Sequence, residues 1–366
     1  MLRRKFVALV VFAAWGLALA EPQVRVLLGE ARGQAKLTMS GAHRGFIDEI
    51  PAFETPLKLD WPVYANAGNL YVEGQPVGST VRLEPLDEAS FSWQGLSFRG
   101  SVRMIADGDV VQVVNVVGVE DYLRGVVPAE MPPEWPLEAL KAQAVAARSY
   151  VLARLDQDED YDVCAKEECQ VYRGMAAEHP RSDQAISETR GVVLTHNGTL
   201  ARAHYHADSG GKLASSAEVW GRSVPYLLAR SDVPASSPHQ AWQARLDPHD
   251  LAAALESYGV RLGPVTALNV LAHTESGRVH RAEVVAEGGR VVLEGTSLRD
   301  LLRSELGLSS TRFTMVGNLA VSGQGRGHGV GMSQYGARTL AAGGQAFEDI
   351  LSFYYPNTAL KTLPYR

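Results

Sequence analysis

Over the first hundred or so positions of the mature-looking chain, apolar residues come in short runs. These runs are β-branched or aromatic and are broken by Gly, Pro or Asp. Residues 24–28, 69–72, 80–83 and 90–93 are such runs, and the turn at 106–109 separates 102–105 from 110–114 as a hairpin. The pattern predicts a β-rich N-terminal region, a scaffold or a carbohydrate-facing platform. At Pro136 the period changes. Leu137, Leu140, Ala144, Ala147, Val151 and Leu155 recur at helical spacing, and Pro136 suits a first helical position. The other faces carry alanine rather than charge, which predicts a long helix buried nearly all round. Lys141, Gln143, Arg148 and Ser149 are its polar exceptions, and buried polar groups must bond to neighbouring structure or line a cavity.

Before that helix the chain passes through a helical turn at 119–125, ended by Gly125, and then Pro128-Ala129-Glu130-Met131-Pro132-Pro133. The prolines predict a rigid, non-helical turn with Glu130 at the mouth of the following helix. Further on, the pattern predicts helices over about 181–190, 248–258, 298–306, 337–342 and 348–355. It also predicts a hairpin around Asn197-Gly198, strands within 265–293, and a linker-like patch at 231–245. The fold class expected is α+β: a β-rich N-terminal region followed by a mixed α/β core around one long buried helix. The divisions expected are 1–20, 21–100, 101–235, 236–310 as a subdomain or insertion, and 311–366 returning to the core.

Composition changes this picture at the N-terminus. Arg3-Arg4-Lys5, a short apolar run and Ala18-Leu19-Ala20 have the form of a secretory signal peptide, too short for a membrane span. No later stretch is apolar enough to cross a membrane. Cleavage would remove three basic residues and no acidic one, shifting the net charge from −6 to −9, which argues against nucleic acid as a partner. In an oxidising compartment Cys164 and Cys169, the two cysteines of the chain, default to a disulfide worth about 2 kcal/mol. The competing reading is half a zinc site completed by His179, His204 or His206.

Several chemistries fail on spacing. The glycine-rich run from Gly323 to Ala337 contains neither a phosphate-binding Gly-Lys-Ser/Thr nor G-x-G-x-x-G. No H-E-x-x-H supports a metal at His204, His206 and Asp208, and Ser209 lacks the G-x-S-x-G setting of a nucleophile. No cofactor is expected. The glycine run is either a tight structural turn or a loop near substrate, with His328, Ser333 and Gln334 offering contacts. Carboxylate chemistry is left, with Tyr172, Trp220, Tyr226 and Tyr335 as exposed-looking aromatics. Glycan cleavage needs a protonated acid at the glycosidic oxygen, and an intramolecular attack needs only one such carboxyl. Glu130, framed by prolines, Met131 and Trp135, is the candidate, against the plain alternative of a surface loop glutamate.

The segments VEDYLRGVVPAEMPPEWPLEALKAQAVAARSY (119–150), CQVYRG (169–174), 204–211, VWGRSVPYL (219–227), GQGRGHGVGMSQYGA (323–337) and ILSFYYP (350–356) together resemble the SpoIID/LytB family. That family is named for a sporulation protein and for an amidase enhancer. The resemblance implies an exported, periplasmic or wall-associated lytic transglycosylase acting on peptidoglycan glycan strands stripped of their peptides. Glu130 stands at the family's catalytic position. It also implies a second possibility, a non-catalytic enhancer of a cell-wall amidase. The substrate-contacting set expected is Lys141, Gln143, Arg148, His206, Ser209, His328, Ser333 and Gln334. One departure is Ala207-Asp208, where the family carries Ser/Thr; the added carboxylate is expected to alter glycan binding or supply a second acid.

Overall fold

The computed structural model describes residues 20–55, 58–156 and 158–365, so the N-terminal signal-like segment lies outside the described residues. With 25% helix and 38% strand the fold is α+β, and the strands are concentrated before residue 119. Two sheets form this region. The first has the order Val163–Cys164, Gln23–Arg32, Val110–Gly118, Ser101–Asp107, Thr80–Pro85, His43–Ile47, Ile50–Glu54. The second has the order Leu96–Phe98, Ser90–Trp93, Ala35–Ser40, Lys58–Asn66, Asn69–Val72, Gln75–Pro76. Alternate residues such as Val24, Val26, Leu37, Met39, Phe91, Val102 and Met104 point inward to one shared core. The hairpin expected at 106–109 is present, with Asp107 opposite Val110.

Helix α1 (Val119–Glu130) follows directly from the Val110–Gly118 strand. It runs straight through Pro128, where a non-helical turn was expected. A proline in the last turn forfeits one hydrogen bond. The Met131 N–H still donates to Val127 at 2.9 Å, and the helix stops where Met131 turns extended ahead of Pro132. Glu130 is therefore the last residue of α1, at its negative C-terminal end, and not at a positive helix start.

Helix α2 (Leu137–Leu152) has Pro136 just before it and is buried everywhere except Leu137, Glu138 and Lys141. Its alanines let two cores approach it from opposite sides. Ala144, Ala147, Tyr150, Val151 and Leu152 join the core under the sheets. Ala142, Val145 and Ala146 join a second core with Leu194, Ala203, Val330, Met332 and Tyr354. Helix α3 (Pro180–Glu188) packs against α2, and α4 (Ser216–Trp220) adds Val219 to the second core. A third core is built by α5 (Pro248–Ser257), α6 (Gly295–Asp300) with its π-helical continuation Leu301–Glu305, and two three-stranded sheets. The chain returns to the second core through α7 (Gln334–Ala342) and α8 (Phe347–Tyr354). No helix of the described residues is long and apolar enough to cross a membrane.

Candidate active site

The end of α1 places the Glu130 side chain, half-buried, against three other chain segments. The Val171 N–H donates to its Oε1 at 2.8 Å, and the side chains of Gln334 and Tyr205 approach the carboxyl closely enough to favour its charged form. Tyr205 and Gln334 arrive together because Tyr205–His206 pairs in parallel with Met332–Ser333, and Gln334 opens α7 immediately after. Buried Gln143 accepts from Gln334 Nε2 at 3.4 Å and so orients it.

The direction of the Tyr205 hydroxyl is fixed from behind. Buried Tyr122 donates to Gln170 Oε1 at 3.0 Å, which leaves Gln170 Nε2 to donate to the Tyr205 oxygen at 3.0 Å. With its oxygen occupied, Tyr205 has its own proton free for Glu130. Burial pushes the Glu130 carboxyl above the ordinary glutamate range. The nearby Glu167 adds to this, and the bonds from Val171, Gln334 and Tyr205 only partly oppose it. The negative end of α1 acts in the same upward direction. The result is a carboxyl biased towards its protonated form, held in one orientation.

Beside it lies an aromatic rim. Trp135 meets Tyr335 edge-on with centroids 4.8 Å apart, Tyr335 meets His239 at 5.8 Å, and the Arg338 guanidinium sits over Trp135 at 5.2 Å. Trp135, Tyr335 and His239 are all partly exposed. Of the aromatics expected to be open, Tyr335 takes this place. Tyr172 and Tyr226 are core residues, and Trp220 packs on His204 and His328.

The remaining expected contact residues fall into different places. Lys141 bridges Glu138 and Glu188 at 2.7 and 2.8 Å, tying α2 to α3, so it does not line the site. Arg148 is fully buried and pairs with Glu120 through Nε and Nη2 at 3.0 and 2.7 Å. Its Nη1 donates to the Val192 carbonyl. With its donors taken inside the core, Arg148 supports the fold and reaches no substrate. Ser209 is buried and donates to Asp232 at 2.6 Å. Ser333 caps α7 by accepting from the Gly336 N–H. Asp232 also accepts from Tyr354, so the linker-like patch that begins at residue 231 is anchored at its start.

His206 and His328 meet at a tilt with centroids 5.4 Å apart, and His204 meets His328 edge-on at 6.1 Å and packs on Trp220. Burial, followed by the charge of Arg278, lowers His206 to about 3, and burial holds His328 well below its usual range. These are neutral packing imidazoles. Among the described residues no group of three or more His, Cys, Asp or Glu is arranged to hold a metal ion. Asp208 is buried and closes its own loop by accepting from the Gly210 N–H at 2.7 Å, so it is not an open second acid.

Cys164 and Cys169 are joined by a disulfide with Cα atoms 5.4 Å apart, so their sulfurs are not zinc ligands. The bond closes the loop that delivers Gln170 and Val171. In the glycine run, Gly331 (φ +72°) lies so close to the His204 carbonyl that a Cβ would overlap it, and Gly325 (φ +77°) is pressed on Asp208. That loop is a tight structural turn whose end presents Gln334. Sequence reasoning missed Tyr205 and Gln170 as site residues. Both lie at or beside conspicuous segments, but only their cross-chain bonds reveal the role.

Comparison with known proteins bears on this site. A sequence model described as stage II sporulation protein SpoIID matches residues 107–196, which include Glu130, Gln143 and Gln170. A domain of unknown function (DUF8618) matches residues 223–331. An uncharacterized protein of Brachyspira hyodysenteriae is 32% identical over 271 residues, 72% of this chain and 72% of that protein. The amidase enhancer of Bacillus subtilis is 30% identical over 351 residues, 81% of this chain but 49% of that protein, so the chain spans about half its length. Stage II sporulation protein D of Bacillus subtilis is 29% identical over 271 residues, 68% of this chain and 76% of that protein. With the sequence model covering the helix that ends in Glu130 and relatives aligned over most of its length, the chain belongs to the SpoIID family.

Proposed function

We propose that this protein is an exported cell-wall enzyme, a lytic transglycosylase of peptidoglycan glycan strands, with Glu130 as general acid and then general base. The observation that carries the reading is the Glu130 carboxyl itself: partly open, raised by burial, bonded by the Val171 N–H and approached by Gln334 and Tyr205. The protonated carboxyl gives its proton to the glycosidic oxygen as the C1–O bond breaks. The resulting carboxylate takes the proton of the same sugar's C6 hydroxyl as that oxygen attacks C1, closing a 1,6-anhydro ring. No water is consumed, and Glu130 ends protonated as it began. One carboxyl suffices, in keeping with the buried Asp208. The half-exposed Trp135–Tyr335 rim offers faces on which sugar rings stack. The relatives named for sporulation and amidase enhancement are consistent with a cell-wall role.

The test is digestion of purified sacculi, intact and amidase-treated, with mass analysis of the products. The parent protein should release anhydro-muramyl fragments, and Glu130→Gln should lose about 10²–10⁴ in rate while keeping its fold. Retained cleavage by that variant would overturn the assignment. A second reading, a non-catalytic glycan-binding enhancer of a cell-wall amidase, is favoured by the name of one relative. It requires no product from the purified protein alone, and faster amidase turnover in its presence that survives Glu130→Gln.

A further inference from the structure

The unit around the third core contains two three-stranded sheets. One has the order Val265–His273, Val279–Ala286, Gly289–Glu294; the other has the order Trp242–Arg245, Ala320–Gly323, Phe313–Gly317. Val265–His273 and Phe313–Gly317 are therefore open edges. They face one another across a groove of about 460 Å³ lined by residues that include Leu268, Val270, Thr314 and Met315. No backbone ladder joins them among the described residues. Two side chains span the gap instead. His273 Nε2 contacts the Phe313 carbonyl at 3.3 Å, and Asn318 Nδ2 donates to the Thr266 carbonyl at 2.7 Å. These contacts join the end of one strand to the start of the other, so the edges run antiparallel.

An open edge is a row of main-chain donors and acceptors, and proteins blunt such edges with charge, proline or cover. Neither edge carries charge or proline: VTALNVLAH and FTMVG contain no Asp, Glu, Lys, Arg or Pro, although the ladder behind each is interrupted by bulges. The strands behind the first edge do carry charge, at Arg281, Glu283, Arg290 and Glu294. Apolar side chains stand open on both edges, with Leu271 49% and Val316 60% exposed.

We propose that this groove is a strand-addition site, taking an uncharged, extended segment of a partner protein between Val265–His273 and Phe313–Gly317 and joining the two sheets into one. The walls define the occupant. Main-chain edges on both sides select an extended chain over a helix or a sugar, and uncharged walls select uncharged side chains. A second copy of this chain offers these same edges only as groove walls, not as a free strand. On insertion the segment's N–H groups take over the Thr266 and Phe313 carbonyls, and Asn318 and His273 swing out. Neighbouring strands lie about 4.7–4.9 Å apart, so the walls settle at about twice that separation.

The probe is an acetylated, amidated hexapeptide of alternating valine and threonine, titrated into the full chain and followed by amide hydrogen exchange. Saturable protection confined to the two edge strands is expected. Methylating alternate peptide nitrogens should weaken binding by at least about tenfold, the ratio expected from losing two main-chain hydrogen bonds. Asn269→Lys and Thr314→Lys, at exposed positions lining the groove, should each abolish the protection in a chain whose thermal unfolding is otherwise normal. Absence of protection, or binding indifferent to N-methylation, overturns the proposal. So does concentration-dependent self-association that protects the same strands, which would make the occupant a second copy. None of these readouts involves Glu130, so the inference stands or falls apart from the glycan chemistry.

Discussion

At the scale of single residues, the candidate site is a problem of proton placement. In the proposed reaction Glu130 has to stay protonated long enough to serve as an acid, and burial at the end of α1 supplies that bias. Tyr205 works against the bias, because its bond favours the carboxylate. Removing it in Tyr205→Phe should therefore raise the Glu130 pKa further. An activity that needs the protonated acid falls as pH rises through that pKa, so the falling limb of the pH–rate profile should move to higher pH in the variant. A pH profile on amidase-treated sacculi checks this. An unmoved limb would mean that Tyr205 does not address the acid.

At the scale of elements, α2 is held by more than its alanines. Its fully buried Arg148 pairs with Glu120 on α1, and Glu120 also accepts from Tyr365 at 2.6 Å and from the Gly191 N–H. Burial alone would push Glu120 up, but Arg148 and these donors outweigh it and hold the carboxyl below its usual range. The stability it contributes is full above the ordinary glutamate pKa and is lost as pH falls through the depressed one. Arg148→Ala would leave a buried charge unpaired, and a loss of about 3–5 kcal/mol in denaturant unfolding at neutral pH is expected. Breaking the more exposed Lys141 bridge should cost far less. Equal costs would mean that burial is not what distinguishes the two cations.

At the scale of the whole molecule, the division is between cores that share α2 and one that does not. The first two cores meet through α2, whereas the third is built from residues 246–321 and shares no buried residue with them. Leu251→Ala or Leu301→Ala should cost about 2–5 kcal/mol within the third core. Hydrogen exchange should then quicken there while the α2 amides keep their protection. Quickening throughout would show one cooperative unit.

Much of this was legible along the chain, and the reasons are local. The alternation of the N-terminal strands, the turn at Gly108 and the buried character of α2 are each written in a few adjacent side chains. The errors were also local. Prolines around Glu130 read as a turn, yet a helix already packed on both sides carries Pro128 to its last turn. Lys141 and Arg148 looked alike as polar residues on an apolar helix, but one bridges α2 to α3 and the other closes a core. What the sequence by itself determined was which segments form and which faces they bury, since both follow from periodicity over one or two turns. Only the tertiary structure decided that Val171, Tyr205 and Gln334 converge on Glu130. Those contacts join segments from 41 to about two hundred residues away, and the directional bonds that fix the proton exist only once those segments are packed together.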